Sequence, residues 1–151
     1  MAINPNTDFS SGAVLTAAQQ NRFPRGVMAY GESTTSDNTV TAEEVQISTS
    51  FTAVANRYYK ISYFEPNCVN GTGYFSFRIR NGTTTAGTQL SVWYQQTGTA
   101  VDRHANGFVV ALFNAGTVNL VATAQQSAGT GVLGRGASSP AILLVEDIGP
   151  A

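Results

Sequence analysis

The sequence predicts an all-β fold, an antiparallel β-sandwich of jelly-roll type, preceded by an N-terminal arm that contains a short helix. Three observations predict it. From Val40 onward apolar residues recur at every second position, the spacing that sends alternate side chains of a strand to one face. The runs are short and are separated by Gly- and Asn-containing turns. Beyond Tyr30 helical spacing is almost absent, so roughly eight strands must cover one another as two sheets. The 151 residues suit one domain with an arm, and the reading divides them into an arm and linker, 1–39, and a sandwich, 40–151.

The elements follow in order. Phe9 to Leu15 leads into Thr16–Phe23, where Thr16 can cap a short helix that Pro24 ends. About two turns are too few to stand alone in water, so the segment must dock on its own sandwich or on a neighbouring subunit. Gly31–Thr39 is small and polar and reads as a loop. Val45, Ile47 and Phe51 share a strand phase, as do Tyr59, Ile61 and Tyr63. Phe75, Phe77 and Ile79 point one way while Ser76, Arg78 and Arg80 point the other, and Asn81-Gly82 supplies a turn at once. Leu90, Val92 and Tyr94 form the next phase. Gly107–Phe113 is apolar on both faces, as a central strand is, and Val118–Ala124 reads as its hairpin partner across Asn114-Ala115-Gly116. After a loop from Ser127 to Pro140, Ile142–Val145 is the final strand.

Composition excludes several classes of function. Charged residues make up 11% of the chain, under half of the roughly 25% usual in soluble domains. Eight Lys and Arg against nine Asp and Glu give a net charge of −1, which offers no electrostatic footprint for nucleic acid or an anionic membrane. No apolar run approaches the length of a membrane helix, and the N-terminus lacks the basic start and apolar block of a secretory signal, so synthesis and folding in the cytosol are expected. Asn70-Gly71-Thr72 and Asn81-Gly82-Thr83 accordingly read as turns rather than glycosylation acceptors. The single cysteine, Cys68, allows no intrachain disulfide and has no neighbouring positive charge to make it reactive.

Catalytic and metal chemistry find little material. Gly129-Thr130-Gly131-Val132-Leu133-Gly134 matches the dinucleotide-binding glycine spacing, but the residues after it cannot open a helix, so the segment reads as a loop. His104 is the sole histidine, with Asp102 two residues before it and no Gly-x-Ser-x-Gly elbow anywhere. Glu43-Glu44 and Glu146-Asp147 are adjacent pairs, and strand neighbours point to opposite faces, so neither pair can share a proton. No cofactor, metal or catalytic residue is expected. Arg78 and Arg80 lie on one face, which reads as a solvated outer face or, alternatively, as one where they meet a carboxylate of another strand or subunit. Tyr58, Tyr59, Tyr63, Phe64, Tyr74, Trp93 and Tyr94 serve packing, or alternatively a platform on which sugar rings stack.

Two segments carry a resemblance. Phe9–Asn21 together with Phe23-Pro24-Arg25-Gly26-Val27-Met28-Ala29-Tyr30, and the ending Leu144–Ala151, resemble the two ends of small virion proteins of tailed bacteriophages, often called minor tail proteins, particularly in phages of actinobacteria. A Tyr-Tyr-Lys-Ile strand at Tyr58–Ile61 is similar to one in their β domain. The resemblance implies a non-enzymatic structural component of the virion, assembled in the host cytoplasm as a symmetric oligomer, a trimer being expected. The arm would dock on a neighbour or on the particle, with Phe9, Val14, Leu15, Phe23, Val27 and Tyr30 as the interface. A capsid decoration protein and a module binding a receptor or host-surface glycan are the alternatives. An uncharged polar surface fits a particle component, since it limits repulsion between many adjacent copies.

Overall fold

A computed structural model describes residue 12, residues 14–96 and residues 103–151. One short helix, α1 (Ala17–Gln20), is followed by ten strands: β1 (Gly26–Ser33), β2 (Asp37–Val40), β3 (Glu44–Ala53), β4 (Arg57–Val69), β5 (Thr72–Asn81), β6 (Thr88–Gln96), β7 (Arg103–Leu112), β8 (Gly116–Ala128), β9 (Gly131–Leu133) and β10 (Ala141–Pro150). They pair antiparallel as one long nested hairpin: β1 with β10, β2 with β9, β3 with β8, β4 with β7, and β5 with β6 at its tip. Rolling that ribbon up adds the pairs β4–β10, β4–β9 and β5–β8. The result is two facing sheets. One runs β1-β10-β4, continuing to β7 beside most of β4 and to β9-β2 at its far end; the other runs β3-β8-β5-β6. This rolled double hairpin is the jelly roll that the strand pattern predicts.

The core is built from the period-two phases. In β4 the buried positions are Arg57, Tyr59, Ile61, Tyr63, Glu65 and Cys68; in β10 they include Ala141, Leu143, Val145 and Asp147. They face Phe75, Phe77 and Ile79 of β5 and Leu120, Ala122 and Ala124 of β8. Phe77 stacks on Phe75 and on Trp93, and Tyr63 meets both Phe77 and Trp93 edge-on. Glycines close both open sides of the sandwich. A Cβ on Gly107 of β7 would lie 2.6 Å from the Trp93 ring of β6, and one on Gly31 of β1 would lie 3.0 Å from Ile47 and the Ser48 carbonyl of β3. Only a residue without a side chain lets the sheets approach that closely.

Several sequence expectations need correction. The sheet begins at Gly26, not Val40, because β1 and β2 lie inside the stretch read as arm and linker. Gly31–Thr39 is therefore strand at both ends. The loop expected after Ser127 holds the end of β8 and all of β9. β7 is not central: it pairs with β4 alone, and its outer face is open. β7 and β8 form no hairpin, because the chain crosses from one sheet to the other between them. In β6 a register shift opposite Ile79 and Arg80 turns both Leu90 and Trp93 to the core and leaves Tyr94 outside.

α1 matches its expected start. Thr16 and Gln19 form a reciprocal capping box, and the helix buries none of its residues. What fixes its root is Arg57, whose guanidinium donates to the carbonyls of Asn21 and Phe23, each at 2.6 Å, while a third bond reaches Asp147 Oδ1 at 2.8 Å. The end of the arm thus docks on its own sandwich.

Candidate functional site

The outer face of the β1-β10-β4-β7 sheet carries an exposed apolar patch. Register places Tyr30, Leu144, Ser62 and Phe108 in one row across the four strands, Glu32, Ile142, Phe64 and Asn106 in the next, and Val27, Glu146, Lys60 and Val110 in a third. Val27, Tyr30, Phe64, Phe108, Val110 and Leu112 are all exposed, Phe108 at 63%. An open groove of about 370 Å³ lies over Ser62, Phe64, Phe108, Ile142 and Leu144. Lys60 pairs with Glu146 at 3.5 Å and sits 5.7 Å from the centre of the Phe108 ring, while Glu32 accepts the neutral Tyr30 hydroxyl at 2.8 Å and keeps its charge. A face with this many exposed apolar side chains side by side is the property of a surface covered in its working state.

Of the interface residues expected from sequence, Phe9 lies outside the described residues. Val14 and Leu15 are on the arm, 89% and 39% exposed, and Phe23, at the docked root, is also exposed. Val27 and Tyr30 belong to the sheet face instead. Phe64 of β4, weighed in sequence as part of a ring platform, is joined on this face by Phe108, Val110 and Leu112, whose signal is the second apolar phase of β7.

The polar clusters serve the fold. Arg135, on the chain after β9, is bidentate on Glu65 at 2.7 and 2.9 Å and also donates to Gln46 and Ser33; the two charged side chains are 2% and 0% exposed. Burial works against the Arg135 charge, but Glu65 outweighs it and raises the guanidinium pKa. Tyr63 donates to the same carboxylate, and burial, then the Glu65 charge, hold its hydroxyl well above its ordinary range. On the outer face of the other sheet Glu43 binds Arg80 at 2.6 and 2.9 Å and accepts from Thr123, the cross-strand meeting that the Arg78-Arg80 pattern anticipates. Burial opposes the Glu43 charge, and Arg80 and Thr123 nevertheless keep its pKa low.

Glu43 and Glu44 do point apart, but Glu44 meets Asp37 of β2. Burial and then the Asp37 charge raise the Glu44 pKa, and one buried Glu44 oxygen has no donor. A raised carboxyl stabilises the fold while protonated, fully below its ordinary 4.5, and that contribution is lost as pH rises through the folded value. Glu44→Gln, which offers Asp37 a permanent donor, is therefore expected to raise stability at pH 7 by about 0.5 kcal/mol, or about 1–2 °C. The gain should close as pH falls toward 4.5. Thermal melts of both proteins across that range check it; a destabilised variant at neutral pH would refute the repulsion.

Among the described residues, those weighed for chemistry are not assembled into a reactive site. His104 is exposed beside Gln95, Arg103 and Asn106 in an open depression, its ring tilted over Phe64 at 6.3 Å; Asp102 lies outside the described residues. Burial pushes the Cys68 thiol up to about 12, with Glu65 adding to it, the opposite of an activated cysteine. Gly129–Gly134 contains β9 and opens no helix. Among the described residues no group of three or more His, Cys, Asp or Glu is placed to hold a metal. The alternative ring platform is split: Tyr59 and Tyr63 are buried and Trp93 packs on the core, Phe64 is exposed on the other sheet, and Tyr74 and Tyr94 form an exposed edge-on pair 5.3 Å apart.

No protein-family model matches the chain, and no curated protein matches it by sequence. Among solved structures it is similar to the enzymatically active domain of tailspike protein 4 of bacteriophage CBA120, with a TM-score of 0.39 and 11% identity over 79% of this chain and 19% of that one. It is also similar to the structure of infectious bursal disease virus, Gt strain, with a TM-score of 0.36 and 12% identity over 85% of this chain and 37% of that one. The chain thus spans less than two fifths of either. At this level of similarity neither comparison speaks to activity or assembly.

Proposed function

We propose that this chain is a non-enzymatic structural protein of a bacteriophage virion, a minor tail component that assembles as a symmetric oligomer, a trimer, and docks on the particle through its N-terminal arm. The observation that carries the reading is the open apolar face of the β1-β10-β4-β7 sheet, which a monomer in water has no reason to keep. The termini support it through their resemblance to phage virion proteins, and so does a surface poor in charge, suited to close repetition.

Immunogold labelling of phage particles with an antibody to this chain tests the reading. Gold on the tail is the expected result. Gold on the head makes the chain a decoration protein, and particles free of gold would overturn the virion reading altogether.

A further inference from the structure

We propose that Tyr74, Tyr94 and Gln96, on the outer face of the β3-β8-β5-β6 sheet, form a binding site for one neutral pyranose unit of a glycan. The site lies on the sheet opposite the apolar patch and does not depend on where the chain sits on a particle, so the virion reading and this ligand can each fail alone.

Register brings the three side chains together. Tyr74 of β5 stands opposite Gln96 of β6, and Tyr94 stands opposite Ser76, so the two rings meet on a diagonal of the outward phase. The inward phase belongs to Phe75, Phe77 and Trp93, and the core uses neither tyrosine. Both stay exposed, Tyr94 at 61% and Tyr74 at 41%, and β6 ends its sheet, which leaves the site open along one side. The rings stand at 85° with centroids 5.3 Å apart, and with Gln96 they line an open cleft of about 390 Å³. Among the described residues nothing hydrogen-bonds the two phenol hydroxyls or the Gln96 amide.

This lining selects a neutral sugar. A pyranose offers a face of C–H groups about as wide as a phenol ring, and a rim of hydroxyls that both donate and accept. Two rings at right angles form a corner, in which the C–H face packs on one ring while the hydroxyl of the other reaches the rim. The Gln96 amide holds a donor and an acceptor side by side, the pair that two neighbouring hydroxyls require. An anionic ligand finds no counter-ion, because the lining holds no Lys, Arg or His. Arg78, two positions beyond Ser76 on β5, is turned to Glu43 at 3.5 Å and to Gln125 at 3.1 Å. A nucleic acid could stack its bases on the rings but would lack cations for its phosphates. A protein partner needs roughly 800 Å² of surface, far more than three side chains offer, whereas the cleft has the volume of a small-molecule site.

Titration of the isotope-labelled full chain with glucose, galactose and mannose, followed by amide NMR shifts, tests the site. At least one of the three should bind with a dissociation constant on the order of 1 mM, moving the amides of Tyr74, Tyr94 and Gln96 and leaving those of Tyr30 and Phe108 in place. Tyr74→Ala and Tyr94→Ala should each weaken that binding by about tenfold, and Gln96→Ala by severalfold. All three positions are exposed, so the variants should keep the circular dichroism of the parent. No shift with any of the three sugars up to about 50 mM, shifts that bypass these residues, or an affinity unchanged in both tyrosine variants would overturn the proposal. So would glucuronate binding more tightly than all three neutral sugars, since the lining has no cation to prefer it.

Discussion

Replacing Arg135 by Met should lower stability by about 3–5 kcal/mol, the usual cost of removing one partner from a buried ion pair. The melting temperature should fall by about 10 °C for a chain of this length. The reason lies in what stays behind. Glu65 is 0% exposed and loses both guanidinium bonds, keeping only the Tyr63 hydroxyl; Gln46 and Ser33 lose their donor as well. The double variant Arg135→Met with Glu65→Leu removes the stranded carboxylate and should recover most of the loss, since buried pairs are often matched by apolar groups of similar volume. Urea denaturation of the parent and both variants at pH 7 decides the matter. A single variant that costs under about 1 kcal/mol, or a double variant no better than the single, would mean that water reaches Glu65.

The ion pairs show where the sequence can be read and where it cannot. Arg57 and Glu65 stand two residues before Tyr59 and two after Tyr63, in the same inward phase, so their burial follows from the alternation alone. Asp147 likewise continues the phase of Leu143 and Val145. Arg135 gives no such signal, because it sits on irregular chain brought to Glu65 only by the short pairings of β9 with β2 and with β4. A strand of three residues such as β9 offers one alternation, too little to separate from a loop. The misreading of β7 has a different cause. Apolar side chains on both faces mean that both faces are covered, and a single sequence does not tell cover by the same chain from cover by another molecule. The assumption of self-cover makes β7 central; its position at the sheet edge turns the same pattern into the candidate site. The β7–β8 turn has hairpin chemistry, yet whether a chain returns beside itself or crosses to the facing sheet is decided by distant pairings, here β8 with β3 and β5.

Arg57→Met should produce two losses at once, and their separation assigns the residue its role. The first is again about 3–5 kcal/mol of stability, because Asp147 is left buried without its countercharge. The second is local: the carbonyls of Asn21 and Phe23 lose their donors, and the root of the arm comes free of the sandwich. Trypsin reports that release, since Arg22 and Arg25 flank the clamped carbonyl of Phe23 and cleavage needs an opened backbone. In the variant, cutting at these two bonds should accelerate by about tenfold or more under conditions where the sandwich stays folded, the factor expected for about 1.4 kcal/mol less protection. Asp147→Asn separates the two effects. It removes the countercharge and weakens the fold, yet Arg57 keeps its bonds to both carbonyls, so arm cleavage should remain near the parent rate. If Arg57→Met loses stability but its arm is cut no faster, the two carbonyl bonds do not hold the arm, and another contact must set the direction in which it leaves the sandwich.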